Sequence, residues 1–204
     1  MKLYDGLGPN PRIVRIALAE KGMSPEVVTV DLLKNANRGP EHLARNPLGG
    51  LPSLETDDGR HLAEVTALVE YLEDLQPQPA LIGATPEARA ETRMWTRRID
   101  LGLVEPLMLG FRATIARQFF APRMALLSES AGHEMLERAG AFLTFLDGHL
   151  ADRSYVTGDS FTLADILLFA FVDQAAQLGL PLPAEPRWLT PWLERVRTRP
   201  SASA

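Results

Sequence analysis

The 204-residue chain contains no cysteine. Disulfides, thiolate metal sites and a protein thiol nucleophile are therefore excluded, and any sulfur chemistry must come from a bound molecule. Long apolar runs are missing as well. The longest, Ile166 to Val172, is bounded by Asp165 and Asp173 and is far too short to cross a bilayer. The opening Met1-Lys2-Leu3-Tyr4-Asp5-Gly6 lacks the apolar stretch of a signal peptide, so a cytoplasmic protein with no membrane partner is expected. There is no long basic run, and 21 basic against 26 acidic residues leave a net charge of −5. Nucleic acid is thus not expected as a partner. The four histidines, His42, His61, His133 and His149, show no metal-ligand spacing, so no metal is expected. The apolar fraction of 46% is that of an ordinary globular protein.

Residues 46–59, Asn-Pro-Leu-Gly-Gly-Leu-Pro-Ser-Leu-Glu-Thr-Asp-Asp-Gly, are the most informative stretch. Pro47, Gly49 and Gly50 mark a loop, Ser53-Leu54-Glu55 a strand, and Asp58-Gly59 a hairpin turn. Pro52 cannot donate a ladder hydrogen bond and belongs at the head of that strand. The N–H and C=O of Leu51 are then left unpaired and can pair with the main chain of a peptide-like ligand. A cis Leu51–Pro52 bond would aim them outward.

Before this stretch, Lys2-Leu3-Tyr4 reads as a strand and Pro11 to Lys21 as a helix, with Asn10 as N-cap, Pro11 at N1 and Gly22 just past the end. Glu26 to Val30 is a second strand, joined by a parallel crossover. Residues 34–46 read as loop with one helical turn near Glu41–Arg45. After Ser53–Glu55 come a short strand at Arg60-His61-Leu62 and a helix from Val65 to Leu75. Gln76-Pro77-Gln78-Pro79 opens a linker over 77–84. Beyond it only helices are expected. Thr85 caps the first, which Gly102 and Pro106 should kink. A second covers roughly Ser128 to His149. A third begins at Thr162, where Asp165 completes a capping box, and Pro191 to Arg197 is the last. A small α/β domain, 1–76, thus precedes an all-helical one, 85–204.

The strand entry Leu51-Pro52-Ser53-Leu54, the helix start at Glu64, the run Gly158-Asp159-Ser160-Phe161-Thr162-Leu163-Ala164-Asp165 and the closing Trp192 to Pro200 resemble the cytosolic glutathione transferase superfamily. The resemblance covers nearly the whole chain. It implies a thioredoxin-like domain holding glutathione as co-substrate, a helical-bundle domain holding a small hydrophobic electrophile, a homodimer, and a role in detoxification. Position by position, it puts Leu51 and Pro52 on the cysteinyl main chain of glutathione. Glu64 falls on its γ-glutamyl end, with Val65 standing where the family has a serine. Lys34, Arg38 and His42 lie where the family often places a group on the glycyl carboxylate. Leu103, Leu107 and Phe111, with Phe119 and Phe120, are candidates for the electrophile pocket.

The catalytic position departs from the family's common pattern. Gly8 stands where serine-type members carry the hydroxyl, and Tyr4 lies inside the strand, too early to serve. Asn10 is the remaining candidate and resembles bacterial members of the Nu type, where an asparagine faces the thiol. A helix N-terminus lowers a thiol's pKa, and an amide N–H₂ adds a donor. Asn10 could equally act only as a helix cap. The resemblance thus implies a transferase, with a glutathione-dependent disulfide reductase or a non-catalytic glutathione-binding or protein-interaction module as alternatives.

Overall fold

The computed structural model describes residues 1–180 and 186–204. The chain forms two compact units. One comprises residues 1–84 together with 196–204, and the other residues 85–195.

The first unit is built on a four-stranded sheet in the order β2-β1-β3-β4. Strand β1 (Lys2–Asp5) pairs in parallel with β2 (Glu26–Thr29) and antiparallel with β3 (Ser53–Glu55), which pairs antiparallel with β4 (His61–Ala63). The β1–β2 crossover carries helix α1 (Pro9–Glu20), which buries Ile13, Val14, Ile16 and Ala17. A 3₁₀ turn at Ala36–Arg38 and the short α2 (Pro40–Arg45) lead into the Pro47 loop. Helix α3 (Val65–Leu75) buries Leu68, Val69 and Leu72 and packs on α1. Leu3 and Leu54, opposite each other in the β1–β3 pairing, are fully buried.

Within residues 77–84, Leu81, Ile82 and Gly83 are buried. The Glu73 carboxylate accepts the N–H groups of Leu81 and Ile82 at 3.1 and 3.2 Å, and both side chains are buried. Lys21 completes the joint, its ammonium donating to Glu73 at 2.6 Å and to the carbonyls of Gln76 and Pro79 at 2.7 and 2.9 Å. The chain end also departs from expectation, because residues 196–204 belong with the first unit instead of the helical one. Arg199 forms two bonds to the Glu20 carboxylate, at 2.8 and 2.7 Å, and Ser201 donates to the same group. Arg12 reaches the Ala202 carbonyl at 2.9 Å.

The second unit is helical among its described residues. Thr85 caps α4 (Pro86–Ile99) by accepting the Ala88 N–H at 3.2 Å. The expected kink is a π-helical turn, Asp100–Val104, leading into α5 (Glu105–Ala113). Gly102 is needed there because a Cβ would lie 2.3 Å from the Phe142 ring. Then follow α6 (Arg117–Phe120), α7 (Glu129–His149), α8 (Leu163–Gln177) and α9 (Leu189–Arg197). Helix α8 is almost wholly buried and starts with the expected Thr162–Asp165 capping box. No helix among the described residues is long and apolar enough to cross a membrane.

Candidate functional site

The register of the sheet gathers the candidate residues of the first unit. Ser53 faces Tyr4 on one side and Ala63 on the other. Continuing each strand by a residue or two brings Leu51 beside Gly6 and beside the start of α3. Packing agrees, since a Cβ on Gly6 would lie 2.7 Å from a Leu51 methyl group. Strands β1 and β4 both run toward this end of the sheet, so α1 and α3 both present their N-termini here. Two positive dipole ends therefore converge on one sheet end, which favours an anionic ligand.

The Leu51–Pro52 bond is cis. Among the described residues, no hydrogen bond engages the Leu51 N–H or C=O. The loop leading to it is clamped by side chains. Asn37 donates to the Gly49 carbonyl at 2.7 Å and Arg38 to the Leu48 carbonyl at 2.9 Å. Asn46 reaches the Gly50 carbonyl at 3.0 Å, and so does His42 Nε2 at 3.1 Å. His42 is buried, and its Nδ1 has no partner among the described residues. Lys34 is exposed and its ammonium lies 3.4 Å from the Asp31 carboxylate, a pair it would have to give up to hold a ligand.

At the start of α3, Glu64 has φ +72°, a region that costs a non-glycine residue roughly 1–3 kcal/mol. Its side chain is exposed and has no hydrogen-bond partner among the described residues. Leu68 N–H is the first to bond back into the helix, at Glu64 C=O, leaving the N–H groups of Val65, Thr66 and Ala67 free of helical acceptors. A strained acidic residue beside three open N–H groups suits a ligand carrying an ammonium and a carboxylate on one carbon.

Helix α1 begins two residues earlier than expected. Gly8, not Asn10, is the N-cap, with φ +115°, and Pro9 and Asn10 occupy the first two helical positions. Asn10 makes no capping bond. The reason is the second proline: Pro11 fits the first turn at its third position as well as at its first, because neither position uses its N–H. Pro9 and Pro11 leave Asn10 as the only one of the first three residues with a main-chain N–H. Its half-buried side-chain amide has no partner among the described residues. The first turn therefore offers its dipole and the donors of one residue.

Tyr4 is excluded from thiol chemistry by its bonds. Its hydroxyl donates to Glu55 at 2.6 Å under the Arg45 guanidinium, and burial, aided by that bond, raises its pKa above the ordinary value. Arg15 fixes the β1–α1 loop, donating to the Asp5 carboxylate at 2.8 and 3.0 Å.

In the second unit Leu103 and Leu107 are buried. They line a cavity of about 10 Å³ with Leu136, Ala139, Leu143 and Val172, room for little more than a water-sized sphere. Phe111 is half-buried and meets Phe120 edge-on with ring centres 6.5 Å apart. No cluster of three or more potential metal ligands occurs among the described residues.

A β2-β1-β3-β4 mixed sheet with a proline-led third strand, followed in sequence by a helical unit, defines a two-domain protein with a thioredoxin-like first domain. Comparison with known proteins agrees. Residues 8–75 match the N-terminal domain of glutathione S-transferase and residues 113–200 its C-terminal domain. Glutathione S-transferase 2 of Saccharomyces cerevisiae is 38% identical over 98% of this chain and 87% of its own length. Maleylacetoacetate isomerase of Pseudomonas aeruginosa is 32% identical over 85% of this chain and 80% of its own. The crystal structure of Gtt2 from Saccharomyces cerevisiae superposes with a TM-score of 0.93 at 36% identity, covering 100% of this chain and 99% of that one. A glutathione transferase homologue from Sulfitobacter, solved with bound glutathione, gives 0.80 at 25% identity, covering 99% of this chain and 94% of that one. The chain belongs to the glutathione S-transferase family.

Proposed function

We propose that the protein binds reduced glutathione at the sheet end of its first unit and conjugates its thiolate to a small hydrophobic electrophile. The observation that carries this reading is the convergence of the unpaired Leu51 main chain with the N-termini of α1 and α3. The cysteinyl N–H and C=O of glutathione pair with Leu51, beside Pro52, in the manner of an added strand. The γ-glutamyl carboxylate takes the N–H groups of Val65 and Thr66, and its ammonium faces Glu64. The thiol then lies at the first turn of α1, where the dipole and the Asn10 donors favour the thiolate. Attack on an activated carbon forms a C–S bond while a leaving group such as halide departs with the bonding pair.

A homodimer acting in the cytoplasm on electrophilic toxicants completes the proposal. Turnover of 1-chloro-2,4-dinitrobenzene with glutathione tests it. Conversion of a hydroxyethyl disulfide without aryl conjugation would replace the transferase reading with a disulfide reductase, and sedimentation tests the dimer.

A further inference from the structure

The stretch between Glu105 and Glu129 contains no acidic residue, although the chain as a whole carries a net charge of −5. Its charges are Arg112, Arg117 and Arg123, and its aromatic residues are Phe111, Phe119 and Phe120. The fold draws these into one cluster on α5, α6 and the turn after it. Phe119 and Phe120 meet edge to face at 4.9 Å, and Phe120 meets Phe111 the same way. The Arg112 guanidinium lies 5.4 Å from the centre of the Phe120 ring and that of Arg123 3.5 Å from Phe119. Arg117 bonds to two main-chain carbonyls, Ala113 and Leu127, at 3.1 and 2.9 Å.

Arg112 is the unusual member. It is half-buried, its Nε is shielded from solvent without an acceptor, and it has no ion pair or hydrogen bond among the described residues. Burial lowers its pKa from the ordinary arginine value, and no carboxylate offsets that loss. A desolvated guanidinium without a counter-ion gains most from a planar anion that it can grip with two parallel N–H groups. Aromatic rings packed edge to face beside it suit a flat ring on that anion.

We propose that Phe111, Arg112 and Phe120 form a binding site for aryl carboxylates. It is tested on the full chain without glutathione, by calorimetric titration of 3-nitrobenzoate and of its neutral isostere 3-nitrobenzamide at low salt. The benzoate binds at least tenfold more tightly. Arg112→Gln removes the preference, whereas Arg112→Lys keeps part of it, with unchanged thermal unfolding showing that the variants fold. Equal binding of the two ligands, binding of neither, or a preference that survives Arg112→Gln overturns the proposal.

Discussion

Ser53 lies opposite Ala63 in the β3–β4 pairing, and this register sets Leu51 beside the first turn of α3. A one-residue slip would exchange the faces of Ser53 and Leu54 and carry the open Leu51 main chain away from Val65. The ligand end of the first unit is thus fixed by strand pairing.

Asn10→Ala removes the side-chain donor of the first turn of α1 and leaves the helix start intact, because Asn10 makes no capping bond. The expected loss in kcat/KM for aryl conjugation is about 10–100-fold. The rising limb of the pH–rate profile moves to higher pH, as the bound thiol becomes a weaker acid. Glutathione binding changes little.

Gly8→Ser does not restore a serine-type enzyme. At φ +115° and ψ 175° the position suits glycine almost exclusively. The hydroxyl comes with strain of roughly 1–3 kcal/mol and no rate gain. Thermal unfolding measures this as a Tm lower by about 2–10 °C.

Lys21→Met leaves the Glu73 carboxylate buried without its cation, though still bonded to Leu81 and Ile82. The expected cost is about 3–5 kcal/mol, read from urea unfolding. Replacing both residues together, with Lys21→Met and Glu73→Gln, costs less than the single change.

Asp165 is fully buried, and desolvation outweighs its bonds from Val156, Thr162 and Trp192 to push its pKa up to about 6. A carboxyl whose folded pKa lies above its unfolded value near 3.8 favours folding when protonated. That contribution is complete below about pH 4 and is lost as the pH rises to about 6, a change of roughly 3 kcal/mol. Comparing urea unfolding of the protein with that of Asp165→Asn from pH 4 to 7 isolates it, since asparagine does not titrate.

The strands, α3 and the capping box at Thr162 were legible because each is written locally, by Pro52, Asp58-Gly59, or Thr162 with Asp165. The start of α1 is ambiguous in sequence, because Pro9 and Pro11 both satisfy the rules for a first turn and only the backbone at Gly8 decides between them. The clamp of Asn37, Arg38, His42 and Asn46 on the 48–50 carbonyls left no signal, since main-chain acceptors in a loop have no side-chain signature. Leu103 and Leu107 carry no such signal either, because an apolar residue on a helix looks alike whether it faces a core or a pocket. The attachment of residues 196–204 to α1 depends on Glu20 and Arg199, far apart in sequence and each ordinary alone.

The most direct test of the glutathione site is calorimetric titration of reduced glutathione into the protein and into its Val65→Pro variant. Proline fits the first helical position without strain but lacks the N–H assigned to the γ-glutamyl carboxylate. Saturable binding to the unmodified protein, and binding at least tenfold weaker to the variant at unchanged Tm, are expected. Equal affinity for the two proteins, or no binding to the first at millimolar glutathione, would contradict it.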